Sequence, residues 1–442
     1  MTTAATLSST AGEIVTAALR LIGEVDANQP VDAVQMQDGL EAFNGMIKGY
    51  QSQGLHLWTK TEGILPLDIG KTDYLLGPTG DEAGNLDDFV NTELSVAGIA
   101  TDRTLDVDST IGMTGAVDQF ASDPANSTQG WTAVGGTIAS DGDVLTVANA
   151  GAAAGEAERT ITGLVVGRAY RIVADFTLGT SVAVTYSVKD GAATLGNATL
   201  TATGAGKFDF VATQTTHVLE ILNGSTAGVE TTLTSRLQLL DNTTGDLVGI
   251  RLDDNTRQWS KVVEVLSATQ IFTADALTGP AAIDNSVYSF PALIPRPLRI
   301  LQARRSTTGS DSEIPAVKWS RQQYFAQPNK TSQGSVNNWY YSPQLTDGRL
   351  HVWQTASNVD QVIKFTYIRP INISSETVDI PDFPSEWYRT LKYNLAAEIA
   401  PEYRLPLDRL SYIVGKAAEF LDDSLGYDVE DDSLNIQPDF GN

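Results

Sequence analysis

The sequence predicts an α+β protein: helices from the two chain ends pack as one bundle, a β-rich excursion lies between them, and an all-β jelly-roll is inserted into that excursion. Three observations lead there. Apolar residues recur every three or four positions near both ends of the 442-residue chain. Between the ends the apolar pattern alternates with period two. From about Asn85 to Leu240 the composition also shifts to Ala, Gly, Thr and Val, with seven basic residues in the whole stretch.

The first helix is read from Ile14, Ala18, Leu21 and Ile22, with Ser9 or Thr10 as its cap and Gly23 as its stop. A second begins near Asp32, with Gln35 placed to complete a capping box. Its stripe of Met36, Leu40, Phe43, Ile47 and Tyr50 buries one face against another helix. Gly39, Gly45 and Gly49 each weaken that helix by about 1 kcal/mol relative to Ala, so packing must hold it or a neighbour must approach closely. Strands follow with Ile64, Leu67, Ile69, Tyr74 and Leu75. In the Ala/Gly-rich stretch, Tyr170, Ile172, Ala174 and Phe176 share a face, as do Val182, Val184, Tyr186 and Val188. Phe208 with Phe210, and Leu237 with Leu239, continue the alternation of a two-sheet sandwich.

A second β region runs from Gly245 to about Asp379. Thr346-Asp347-Gly348 turns a hairpin there, Ile363, Phe365 and Tyr367 share a face, and Pro291, Pro295 and Pro297 stiffen a connector. Near the end, Ser385 is placed to cap a helix with the stripe Trp387, Leu391, Leu395 and Ile399. Pro401 and Pro406 break it. A last helix carries Leu407, Leu410, Val414, Ala417 and Leu421. From Asp422 onward there are seven acids and no base, an extended tail in expectation. The divisions are thus 1–62 and 381–421 for the helical domain, 63–84 and 241–380 for the β-rich domain, 85–240 for the insertion and 422–442 for the tail. End helices with one apolar stripe each need partners, and packing the N-terminal pair on the C-terminal pair is the economical solution.

Composition excludes several functions. The net charge of −25 repels phosphate and argues against a dedicated nucleic-acid wrapping protein. No apolar run reaches the roughly 18 residues of a membrane helix. Met1 to Gly12 has neither the basic nor the apolar part of a secretory signal. The absence of cysteine removes disulfides, thiolate metal sites and cysteine nucleophiles. His56, His217 and His351 share no local spacing, so no metal site is expected. Acid pairs such as Asp87-Asp88, Asp253-Asp254 and Asp422-Asp423 are ordinary surface features in a chain with 54 acids. Asp106-Val107-Asp108 and Asp141-Gly142-Asp143 read as turns rather than calcium loops. No nucleophile elbow, P-loop or dinucleotide fingerprint is present, so neither an enzyme nor a cofactor is expected.

Ile14-Val15-Thr16-Ala17-Ala18-Leu19-Arg20-Leu21-Ile22-Gly23 resembles the first helix of a phage adaptor family. Met36-Gln37-Asp38-Gly39-Leu40 through Gly49-Tyr50-Gln51-Ser52-Gln53-Gly54-Leu55 resembles its second helix and exit turn. Ala396-Ala397-Glu398-Ile399-Ala400-Pro401-Glu402-Tyr403 is similar to its closing helix pair. The family is the head-to-tail adaptor, or tail accessory factor, of short-tailed phages, also called packaged-DNA stabilisation protein. The motifs cover about a quarter of the chain. The resemblance implies a virion protein assembled in the host cytoplasm as a ring, typically a dodecamer, below the portal. Such a ring extends the channel for double-stranded DNA, helps retain the genome and docks the tail tube or nozzle. It also implies that the C-terminal segment reaches the portal, a role that falls here on Asp422, Asp423, Asp431, Asp432, Ile436 and Phe440. The long β excursion departs from shorter members of the family. Within it, Gly130-Trp131 through Gly163 and Gly167-Arg168-Ala169-Tyr170 resemble jelly-roll modules classed as carbohydrate-binding.

Met36, Leu40 and Phe43 are expected at the subunit interface. Arg296, Arg299, Arg304 and Arg305 contact either DNA or an acidic neighbouring subunit, the second being favoured because acids are plentiful. The acidic charge either lines a repulsive channel or serves solubility. Trp339-Tyr340-Tyr341 and Trp353 form an interface hot spot, a sugar platform or sheet core. Trp131 is the candidate sugar contact. Two other functions stay open: a glycan- or receptor-binding tail protein acting through the jelly-roll, and a cell-wall hydrolase that only the spare carboxylates suggest.

Overall fold

The computed structural model describes residues 7–26, 28–53, 57–120, 123–142, 144–150, 154–224, 231–307, 310 and 312–427. Helix α1 (Ala11–Ile22) starts at a reciprocal cap. The Thr10 hydroxyl accepts the Glu13 N–H at 3.2 Å and the Glu13 carboxylate accepts the Thr10 N–H at 3.0 Å. Gly23 ends the helix at φ 84°, where a side chain would be strained. Before α2 (Ala33–Gln53), the Asp32 carboxylate accepts the Val34 N–H at 3.1 Å. The expected capping box does not close, because the Gln35 amide donates instead to Glu24 at 3.2 Å. Only Gly39 of the three α2 glycines meets a close neighbour. A Cβ there would lie 2.4 Å from Val15 Cγ1, whereas at Gly45 and Gly49 it would meet nothing within 4 Å.

Three helices follow: α3 (Arg321–Ala326), α4 (Tyr388–Ile399) and α5 (Leu407–Tyr427). Ser385 does not cap α4. It opens a 3-10 turn that winds straight into the helix, and no side chain caps either. The inner line of α5 is Ile413 and Ala417, buried, with Leu410 and Leu421 half-buried beside them, which leaves Val414 and Leu407 exposed at 47% and 80%. Asp422 and Asp423 stand on this helix, not on an extended tail, because its last turns stay tied to α4, with the Thr390 and Ser424 hydroxyls 2.6 Å apart.

Helices from both chain ends share one hydrophobic cluster. Ile14, Val15 and Leu19 meet Phe43, Ile47, Leu391, Leu395, Ile399 and Ile413 there. Polar ties reinforce the contact across more than 300 residues of sequence. The Asn44 amide donates to Ser374 O at 2.8 Å and accepts the Ser374 N–H at 3.1 Å. The Ala11 and Gly12 N–H groups donate to Asp379 and Thr377 at 2.8 and 2.9 Å.

The β pairing explains how the ends meet. Lys60–Pro66 pairs antiparallel with Gln361–Ile368 from Lys60↔Ile368 to Pro66↔Val362, so the chain enters and leaves its middle on neighbouring strands. Arg369 extends the ladder to Thr59 O at 2.9 Å and holds the Asp382 carboxylate with two guanidinium arms. These strands belong to an eight-stranded sheet that also holds the Asn338–Ser342 and Gly348–Trp353 hairpin. In it Tyr74 and Leu76 face inward while Leu75 does not, and Ile69 is exposed.

A six-stranded sheet forms from Leu247–Arg251, Arg257–Ser267, Gln270–Thr273 and Ser286–Phe290, joined by Val90–Glu93 and Thr104–Asp106. The last two strands fall inside the span 85–240 but pair outside the sandwich, so that span contributes to both. Pro291, Pro295 and Pro297 link Ser286–Phe290 to Arg299–Thr307, a step from one sheet to the other.

The sandwich comprises two five-stranded antiparallel sheets. One holds Gly204–Val211, Ala169–Thr177, Thr231–Asp241, Leu145–Asn149 and Gly136–Ser140. The other holds Ala193–Leu200, Val184–Asp190, Thr216–Asn223, Gly155–Thr162 and Trp131–Val134. The chain repeatedly crosses between them, a jelly-roll winding. Tyr170, Ile172, Ala174 and Phe176 face Val184, Tyr186, Val188, Leu219 and Ile221 across the core. Val182 lies before its strand and is exposed, so it leaves the expected face. The chain enters and leaves side by side, with Asp118 bridged to Leu240.

Candidate functional site

The residues expected to act together are spread over the fold. Phe43 is fully buried inside its own chain, which rules it out as a subunit contact. Met36 and Leu40 are only half-buried against the same cluster and keep an outward side. Exposed apolar side chains also occur on α2 at Val34, on α5 at Tyr412 and Val414, and in the loop before α4 at Val378 and Ile380. Of the tail residues, Asp422 and Asp423 are exposed on α5, while Asp431, Asp432, Ile436 and Phe440 lie outside the described residues.

The arginine group is not one cationic patch. Arg304 is held within its own chain, 2.9 Å from Glu62 and 3.3 Å from Glu313. Arg296 donates to Gln344 O at 3.0 Å, Arg305 is half-buried and Arg299 is exposed. Alternation along Arg299–Thr307 points the adjacent Arg304 and Arg305 to opposite faces, and Arg296 lies before the strand.

The same rule divides the aromatic run. Trp339 and Tyr341 face the core, where the indole donates to Ala316 O at 3.1 Å and the phenol to Pro297 O. Tyr340 and Trp353 face the other way, and α3 packs over that side. Tyr324 of α3 lies 4.7 Å from the His351 ring, which stacks at 5.6 Å on Tyr340. Burial lowers the His351 pKa. Trp319 stacks on Trp353 at 5.3 Å. Phe325, also on α3, is 54% exposed with Arg321 and Lys330 beside it. The signal for α3 was present in sequence: Ser320 and Gln323 form a capping box.

Trp131 is 7% exposed and sits in the sandwich core, its indole N–H donating to Pro124 O at 3.0 Å. A ring that must stack on a sugar needs an open face, so Trp131 is not that contact. The outer face of the Ala169–Thr177 sheet is covered by the six-stranded sheet. There Arg171 lies 3.7 Å over Phe272, 3.3 Å from Asp209 and 3.8 Å from Glu264. Arg103 joins Asp209, and Lys207 joins Glu264 at 2.8 Å.

The outer face of the second sheet carries Thr185, Ser187, Lys189, Glu156, Glu158 and Glu220, brought into adjacent rows by register. The three carboxylates approach within 4.8 Å of one another, an oxygen donor set of the kind a hard cation takes. Lys189 is already bonded to Glu220. Burial first, and then the Glu220 and Glu158 carboxylates, push Glu156 up to about 7. An unfolded glutamate releases its proton near 4.5, so the native state binds the proton more tightly. Stability therefore falls as pH rises from about 4.5 through 7. Glu156→Gln is expected to raise the melting temperature at pH 8 and to leave it unchanged at pH 4, as read by scanning calorimetry. Equal effects at both pH values would contradict this.

Among other expected groups, His217 is buried and its Nε2 accepts the Thr213 and Gln214 N–H groups at 3.2 and 3.3 Å. His56 lies outside the described residues. Asp141 caps a turn by accepting the Val144 N–H at 3.0 Å, and Asp143 lies outside the described residues.

No protein-family model matches the chain, and no curated protein matches it. Solved structures that it resembles include one described as "CBM4 structure and function", at 13% identity, 28% of this chain, 97% of the other and a TM-score of 0.23. A second is TmCBM61 in complex with β-1,4-galactotriose, at 10% identity, 28% and 99% coverage and a TM-score of 0.23. A third is the second N-terminal cellulose-binding domain of Cellulomonas fimi β-1,4-glucanase C, at 17% identity, 28% and 95% coverage and a TM-score of 0.23.

Proposed function

We propose that the chain is a non-catalytic structural protein that assembles with copies of itself as the head-to-tail adaptor of a short-tailed phage. The observation that carries this reading is the shared cluster of α1, α2, α4 and α5, with the whole β middle leaving and returning through one strand pair. Helices from both ends then act as one bundle, the part that packs against neighbouring copies. Exposed Leu407 and Val414, two turns apart on one side of α5, supply an apolar contact surface for it. The sandwich hangs from the six-stranded sheet as an inserted module. The proposed partners are the portal above, the tail tube or nozzle below, and double-stranded DNA passing without sequence-specific contact. Negative-stain microscopy of the purified chain, alone and with portal, is expected to show closed rings. Single copies under both conditions would contradict the reading.

Glycan binding by the sandwich is the second reading. It is favoured by the outer polar face that carries the half-exposed Thr185, Lys189 and Glu158, whose hydroxyl and charges suit sugar hydroxyls. No aromatic side chain lies on the strand positions that form this face, so binding there would rest on hydrogen bonds.

A further inference from the structure

We propose that the surface around Phe325 binds the acidic segment 428–442 of this chain. Phe325 stands exposed on α3 with the Arg321 guanidinium 5.5 Å and the Lys330 ammonium 5.8 Å from its ring centre. Neither cation makes an ion pair among the described residues, although the chain has 54 acids against 29 bases. Among the same residues Arg304, Lys364 and Arg369 have found carboxylates whereas Arg299, Arg389 and Lys392 have not, so what marks this surface is the exposed ring set between two cations. The nearby Asp73 is already taken, 3.1 Å from Arg349. An unpaired cation pair around an exposed ring has the composition of an interface anchor.

The surface is fixed in advance. Tyr324 is buried against His351, and the Trp353 indole donates to Asn329 O at 2.9 Å, next to Lys330 in the chain. Lys330 itself donates to Gln327 O at 3.0 Å. Little ordering is left to do on binding, which favours affinity. Arg321, Gln322 and Phe325 border an open depression of about 440 Å³.

The occupant is chosen by charge and by composition. Residues 428–442 hold Asp428, Glu430, Asp431, Asp432 and Asp439, with no base, and the apolar Val429, Leu434, Ile436 and Phe440. They begin where α5 ends and reach at most about 50 Å when extended. Their acids suit Arg321 and Lys330, and an apolar side chain suits Phe325. A free polyanion such as nucleic acid must approach against the overall charge of −25 and finds two cations. The segment comes from the same copy or from a second one. The inference does not depend on ring formation.

Zero-length carbodiimide cross-linking of the intact chain tests it, with the Lys364–Glu313 pair, 2.7 Å apart, as internal control. Lys330 is expected to join an acid of 428–442. In an equal mixture of ¹⁵N-labelled and unlabelled copies, mixed-isotope products assign a second copy and unmixed products the same copy. Phe325→Ala is expected to lower the yield by about tenfold, while Phe325→Tyr retains it. Control product without any Lys330 product to 428–442 overturns the proposal. So does a yield that Phe325→Ala leaves unchanged, or a short oligonucleotide that binds at Phe325 in the absence of the cross-link.

Discussion

Phe43→Ala is expected to destabilise the helical part of the protein by about 3–5 kcal/mol, the range for truncating a fully buried aromatic side chain. Phe43 has no exposed surface and sits among residues from α1, α2 and α4. Its neighbourhood cannot collapse freely. Gly39 already brings α2 so near Val15 that a single added carbon would clash, and Asn44 is bonded in both directions to Ser374. A cavity opened there is held open on several sides. Urea unfolding followed by helical circular dichroism is expected to show an early transition in the variant. An unchanged midpoint would mean that Phe43 is not part of a shared core.

Arg171→Ala is expected to cost about 3 kcal/mol at the joint between the sandwich and the six-stranded sheet, the lower end for breaking a buried charged network. Among the described residues Arg171 alone touches Phe272, Asp209 and Glu264 together. Its removal leaves Arg103 with Asp209 and Lys207 with Glu264, so the carboxylates keep one partner each. That is why the loss sits at the low end. Limited proteolysis is expected to release residues of the sandwich from the variant faster than from the parent chain, with the sandwich core still folded. Identical cleavage rates would show that the joint does not hold the sandwich in place.

Much of the architecture is legible where one residue type decides the matter locally. Thr10 with Glu13, Gly23 and the alternation of Tyr170, Ile172, Ala174 and Phe176 are features of a few adjacent residues, and periodicity reads them. Periodicity cannot place Val414, because Ile413 and Val414 are equally apolar and only the partner helix selects between them. Ser385 looks like a cap, but a 3-10 turn fed by Pro384 removes the need for one. Sheet membership is not local at all. Val90–Glu93 pairs with Ser286–Phe290 across nearly two hundred residues, and composition alone assigned it to the sandwich. Two of the site residues depart from expectation for a related reason. Phe43 and Trp131 are large and apolar, which marks a core position and an interface anchor equally well, and only burial separates the two. Phe325 drew no notice because its significance comes from Arg321 and Lys330, which α3 and the following loop bring beside it.

Hydrogen–deuterium exchange on the parent chain and on Phe43→Ala tests most directly whether the two chain ends are a single cooperative unit. The expected result is that amides of α1, α2 and α4 lose protection together in the variant, while those of Ala169–Thr177 and Thr216–Asn223 in the sandwich keep theirs. Loss confined to α2, with α1 and α4 protected as before, would contradict the account.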